Sequence, residues 1–206
     1  MDHGVVHMTQ LDTDREQIAI DLVVRGPLVT ALELVNRKPP GLVGEVGINP
    51  VAVGGEMAAR LGLRFPLRDD VQFSDVRVSG AANMRGVRMK PGPSGFVVEN
   101  SDLELKLSNS TLKIAGQVQL NGVPLSLDWH EIFASGQGFR SRYILSGDLD
   151  VGALERLGLP KLPFIGGVSE TNFILTQFGD GRSEVLVSGD LSQVVIAIPH
   201  VGQRGE

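Results

Sequence analysis

Ser126, Asp128 and His130 are the residue types of a nucleophilic triad and follow one another closely in the chain. The alternation around them places all three on one side of a strand. Alternate strand residues lie ~6.6–6.8 Å apart along the chain axis, too far for a relay of hydrogen bonds at ~2.6–3.2 Å. They read as the wet face of a strand. Asp12, Asp14 and Glu16 resemble the opening of a calcium loop, but the glycine and the late bidentate glutamate of such loops do not follow at the required offsets. Gly41, Gly44 and Gly47 match neither the dinucleotide fingerprint nor a P-loop, and no Gly-Lys-Ser/Thr occurs anywhere. His3 and His7 could share a helical face and bind metal, although no carboxylate is placed as a third ligand. With no cysteine in the chain, thiol catalysis, disulfides and thiolate metal sites are excluded. The chain reads as no enzyme, with no metal and no cofactor.

The elements around these residues are mostly strands. Leu103, Leu105 and Leu107 alternate with Glu104 and Lys106, and Leu112, Ile114, Val118 and Leu120 alternate with Lys113, Gln117 and Gln119. Asn121-Gly122 forms a tight hairpin turn, because both residues tolerate positive φ. Val123, Leu125, Leu127 and Trp129 then share a face opposite Ser126, Asp128 and His130. The same alternation marks strands at Glu16–Val24, Tyr143–Leu149, Asn172–Phe178, Glu184–Val187 and Gln193–Pro199. Two short helices interrupt them. One runs from Pro27 to about Arg37, on the spacing of Leu28, Ala31, Leu32 and Val35. The other lies near Val151–Leu157 and ends at Gly158 before Pro160. Between Gly41 and Pro66, glycines interrupt the pattern, so that Val46–Val53 and Met57–Phe65 read as strands while Glu56–Leu63 also fits a helical turn.

Composition agrees with a folded β protein. Hydrophobic residues make up 42% and charged residues 21% of the 206, near the values of ordinary domains. Glycine reaches 26 residues while aromatics are only 5%, which favours many turns and short strands. The formal net charge is −5 and the 19 Lys and Arg are scattered, so nucleic acid is excluded as a partner. The longest charge-free stretch, Ile114–Leu127, is shorter than the ~20 residues of a membrane helix and carries Gln117, Gln119, Asn121 and Pro124. The amino terminus shows no basic region followed by an apolar run. Alternation continues almost to the last residues, so a single β-rich segment of a longer protein is expected over 1–206. Within it, 67–206 is the well-defined sheet and 1–66 is less regular.

The stretch Ile114 to Phe133, IAGQVQLNGVPLSLDWHEIF, resembles part of the central domain of unknown function of YhdP-type proteins in the AsmA-like superfamily. Similar phrases are LRFPL at Leu63–Leu67, SGDLDVGALERLGLP at Ser146–Pro160, and FIGGVSETNFILTQFGDG leading to SGDLSQVVIAIPHVG. Together they span roughly the carboxy-terminal two thirds of the chain, and none is a catalytic motif. The resemblance implies a periplasmic protein, anchored in the inner membrane through regions outside this chain, whose long sheet curls into a groove carrying phospholipid toward the outer membrane.

The residues and the resemblance together predict a mainly β fold. It is a curved antiparallel sheet of roughly eight to twelve strands forming an open groove, with a closed sandwich or barrel as the alternative. The candidate lipid-lining set is Leu103, Leu105, Leu107, Leu112, Ile114, Val118, Leu120, Leu125 and Leu127, whose aliphatic, uncharged character suits acyl chains. A second expectation is an adaptor module whose strand edges, Glu16–Val24 and Gln193–Pro199, pair with flanking domains or another protein.

Overall fold

The computed structural model describes residues 3–9, 17–36, 49–68, 70–91, 95–133, 138–160, 165–190 and 194–196. The strands are β1 (His3–Thr9), β2 (Gln17–Pro27), β3 (Val53–Pro66), β4 (Arg77–Met89), β5 (Val98–Ser108), β6 (Thr111–Leu120), β7 (Val123–Ile132), β8 (Ser141–Asp150), β9 (Ile165–Gln177), β10 (Ser183–Gly189) and β11 (Val194–Ile196). Each strand from β1 to β9 pairs antiparallel with the next, and β11 pairs with the start of β9. Among the described residues no ladder joins β1 to β10, so the sheet is open and the closed barrel is excluded. Nine spacings of ~4.8 Å give a sheet ~43 Å across its strands.

Local chemistry sets the connections. Asn121 (φ 51°) and Gly122 (φ 73°) make the β6–β7 turn with two left-handed residues, the geometry that matches the twist of a two-residue hairpin. Asn121 also accepts from the Val97 N–H (2.9 Å) and donates from Nδ2 to the Arg156 carbonyl (2.8 Å), tying the hairpin to the following helix. Register shifts at Gly54/Glu56, between Met84 and Met89, and at Glu99/Asp102 mark bulges that bend β3, β4 and β5.

Two helices cover the apolar face. Pro27 ends β2, and α1 (Leu28–Asn36) begins one residue later, with Leu28 buried on β3 and β4 and Leu32 packed beside it. The second helix, α2 (Val151–Arg156), is capped by Asp150, whose carboxylate accepts from the Ala153 N–H at 2.6 Å. Its far end closes with Leu159 N–H on Leu154 O and Gly158 N–H on Glu155 O, with Gly158 at φ 89°.

The less regular region resolves into strand. Residues 56–63 lie within β3 and form no helical turn, while Pro50–Ala52 is a single 3₁₀ turn ahead of β3. Residues 46–48 and the glycines at 41, 44 and 47 lie outside the described residues, as do Asp12, Asp14 and Glu16. The sheet edges also differ from expectation. The strand beginning near Glu16 is β2, covered on one side by β1, so the amino-terminal edge is β1 itself. At the other edge stand β10 and β11, while 197–199 lie outside the described residues.

Candidate apolar groove

Pairing register decides which side chains share a face, because directly opposed residues of two strands point the same way. One row crosses the sheet from β2 to β10 as Val24, Ala59, Ala82, Leu105, Ile114, Trp129, Tyr143, Leu175 and Val185. A parallel row runs Met57, Met84, Leu103, Gly116, Leu127, Leu145, Phe173 and Val187. Every member is apolar or glycine. The opposite face carries Arg60, Lys106, Lys113 and Arg142 with Glu104 and Asp128 between them. From β3 to β7 one side of the sheet is therefore greasy and the other wet, while on β8, β9 and β10 the second side also carries Ile144, Ile174 and Leu186.

All nine residues of the candidate lining fall on the greasy face. Leu107 opposes Leu112, Leu105 opposes Ile114, Leu103 and Leu127 flank Gly116, Val118 opposes Leu125, and Leu120 opposes Val98 and Val123. Their exposure divides them. Leu112, Ile114, Val118 and Leu125 are buried within two packed clusters, the first beneath α1 and the second beneath α2. Leu103, Leu105, Leu107, Leu120 and Leu127 are half-buried around those clusters.

On β2 and β3 the greasy face carries Ile20, Leu22, Ala59, Leu61 and Leu63, which are half-buried and belong to neither cluster, while at the far edge Val185 and Val187 of β10 are exposed. The alternation in Glu16–Val24 already puts Ile20 and Leu22 on one strand face, whereas Ala59, Leu61 and Leu63 are hidden because Gly54, Gly55, Ala58 and Gly62 dilute the pattern. The usable signal was the alternation of Met57, Ala59, Leu61, Leu63 and Phe65 with Arg60 and Arg64. At the α1 end, Val29, Val51, Val53, Val97 and Val98 line a cleft of about 700 Å³, with Arg88, Lys90 and Glu99 also on its wall.

At the other end of the strands the face turns polar. Glu131, Ser141, Gln177 and Ser183 stand in one row. Glu131 is 2% exposed, accepts from the Trp129 indole N–H at 3.3 Å and pairs with the half-exposed Arg140 at 3.5 Å. A carboxylate this deep needs both partners, since an unpaired buried charge costs several kcal/mol. Its signal in the sequence is the phase of Leu125, Leu127, Trp129 and Glu131.

Tyr143 stacks on Trp129 with ring centroids 5.1 Å apart. Burial raises its hydroxyl above the ordinary tyrosine pKa, and the charge of Glu131 pushes the same way. Because the folded pKa is raised, the stabilisation is fully present below the unfolded value of ~10 and is lost as pH climbs through the folded value. Tyr143 is the chain's one tyrosine, so alkaline titration followed by phenolate absorbance reads this site alone. Phenolate is expected to appear above the ordinary range, together with loss of the β-sheet circular dichroism. Ionisation at the ordinary value with the sheet intact would mean that the Trp129–Tyr143 pair is not buried.

The other sequence candidates form no site. Ser126, Asp128 and His130 lie in a row along β7, with Ser126 accepting from Gln117 Nε2 at 2.9 Å and His130 against the edge of Phe139 at 5.6 Å. His3 and His7 sit in a strand, which corrects the helical-face reading. Residues four apart there are ~13 Å apart along the axis. Among the described residues no group of His, Cys, Asp or Glu is placed to hold a metal, and no helix is long and apolar enough to cross a membrane.

No family model fits the chain, and neither a curated protein nor a solved structure is significantly similar to it. Function has to be argued from the sheet itself.

Proposed function

We propose that the greasy face of this sheet binds acyl chains, and that the protein is a segment of a lipid-conducting groove of the AsmA-like kind. The observation that carries the reading is the continuity of the apolar rows from β2 to β10, with only two short helices over them among the described residues. An antiparallel sheet with one greasy face needs a cover. Acyl chains supply that cover over Ile20, Leu22, Leu61 and Leu63 without asking anything polar of the surface. The valine-lined cleft with Arg88 and Lys90 on its wall suits a phosphate at the head of such a chain. On the family resemblance, the setting is the periplasm, the cargo phospholipid and the anchor an inner-membrane segment outside this chain.

The test is native mass spectrometry with lipid extraction of the purified chain. Phospholipid is expected to copurify and to rebind after delipidation and exposure to vesicles. A chain that never carries lipid, and whose greasy face is dry and closed, would make this a structural β-module of the cell envelope instead. A specific observation favours that second reading: β1 and β10 each present exposed apolar side chains at a sheet edge, where flanking domains could add strands.

A further inference from the structure

The backbone of β10 offers half of its hydrogen-bonding groups to the outside. Phe178 N–H donates to Arg182 O (2.9 Å) and Asp190 N–H donates to Glu170 O (3.0 Å), so the even-numbered positions of β10 bond inward to β9. The pleat then turns the N–H and C=O of Ser183, Val185, Val187 and Gly189 outward. Val185, Leu186 and Val187 are 69%, 59% and 47% exposed. The strand holds neither lysine nor proline, the usual guards of an edge.

We propose that β10 pairs antiparallel with β10 of a second copy of the chain, about a two-fold axis that passes through Leu186 perpendicular to the sheet. Such an axis keeps the greasy faces of both copies on one side, so only registers that pair odd positions with odd and even with even are allowed. Centring on Val187 sets Glu184 against Asp190, a like-charge pair. Centring on Val185 sets Glu184 against Leu186 and Arg182 against Ser188. Centring on Leu186 sets Val185 against Val187 and, at both ends, Arg182 against the partner's Asp190. Arg182 holds Asp180 at 2.7 Å and Glu184 at 3.8 Å in its own copy, lies over the Phe178 ring and keeps 65% of its side chain exposed, so the partner's Asp190 would share the remaining guanidinium donors. Opposed apolar and opposite-charge pairs favour this register over the other two. In it the Val185–Val187 and Ser183–Gly189 pairs are hydrogen-bonded, and Leu186 meets its own copy in a non-hydrogen-bonded pair with Cα atoms ~4.5 Å apart. The contact is isologous and closes on itself. It runs the row ending at Val185 directly into the row ending at Val187 of the second copy.

The proposal stands independently of any bound lipid. Because the chain has no cysteine, Leu186→Cys places one thiol on the axis at a separation that a disulfide spans. The parent chain is expected to show a doubled mass by light scattering, and Leu186→Cys to give a covalent dimer on mild oxidation. Val5→Cys, on the exposed β1 edge, is expected to stay uncross-linked. Val185→Pro removes an outward N–H without touching the β9 ladder, and is expected to be monomeric with an unchanged circular dichroism spectrum. A parent chain that stays monomeric at high concentration would overturn the proposal. So would cross-linking through Val5→Cys in place of Leu186→Cys, or a dimer that survives Val185→Pro. Lipid recovery from the Val185→Pro monomer is scored separately, so loss of the dimer and loss of lipid binding are read apart.

Discussion

Val118→Glu is expected to unfold the protein, whereas Leu61→Glu is expected to leave it folded and to abolish lipid recovery. Val118 is 6% exposed and sits among Val123, Leu125, Leu149 and Ala153 beneath α2. Placing an unpaired carboxylate there costs several kcal/mol, a large share of the ~5–15 kcal/mol that holds a domain together. Leu61 occupies the same face between Leu22 and Gly80 but is half-buried and outside both clusters, so a carboxylate there stays partly hydrated. About 1 kcal/mol is the expected cost. Leu105→Glu is expected to fall between the two, because Leu105 is half-buried against the cluster beneath α1. Lys106→Glu on the wet face, opposite Lys113, is expected to lie within about 0.5 kcal/mol of the parent. Urea unfolding and lipid recovery, measured on all four variants, separate the cases. If Leu61→Glu unfolds the chain as thoroughly as Val118→Glu, the face is closed and the groove reading falls.

Gly116→Ala is expected to be the costliest single-methyl change in the sheet. Gly116 holds φ 150°, and a Cβ built there stands 2.2 Å from the Asp102 carbonyl oxygen and 3.0 Å from Leu103 Cα. Both are backbone atoms, so no side-chain rotation relieves the contact. Strain of this kind costs about 1–3 kcal/mol by itself. The required shift also disturbs the β5 bulge, where the Asp102 carboxylate accepts from the Gly86 N–H at 3.0 Å and the Ser101 hydroxyl bridges Glu99 O and Gln119 N–H. Gly122→Ala makes the control. It is also left-handed, but nothing lies within 4 Å of its Cβ, so only ~1–2 kcal/mol of backbone preference is lost. Equal urea midpoints for the two variants would show that the bulge can yield and that the close approach of β5 to β6 is not a constraint.

How far the sequence reveals this fold depends on how strictly each strand alternates. From Leu103 to Trp129 almost every other residue is a large aliphatic, so register, turn and shared face all follow, and the nine predicted residues do lie together. β3 and β4 show the opposite case: small residues satisfy the sheet because neighbours lean over them, as Leu61 of β3 and Leu107 of β5 do at Gly80 of β4, yet they leave little hydrophobic contrast to read. β1 was hidden for a different reason. Val5 and Val6 are adjacent and fall on opposite faces of an edge, so no period emerges. Glu131 follows the greasy phase of β7 faithfully, and only Trp129 and Arg140, set beside it by the fold, explain how a carboxylate survives there. Exposure along the greasy face cannot be read from alternation, because it depends on where α1 and α2 come to rest.

Since every strand from β1 to β9 bonds to its immediate successor, the distance along the chain between partners stays short for a protein made of strands. Contacts between near neighbours cost little loop-closure entropy, and chains rich in them fold faster than sandwiches whose partners are remote. A meander of this kind needs no later segment before an earlier hairpin can close. Zippering can therefore proceed in the direction in which the polypeptide is delivered, each new strand finding its template already in place.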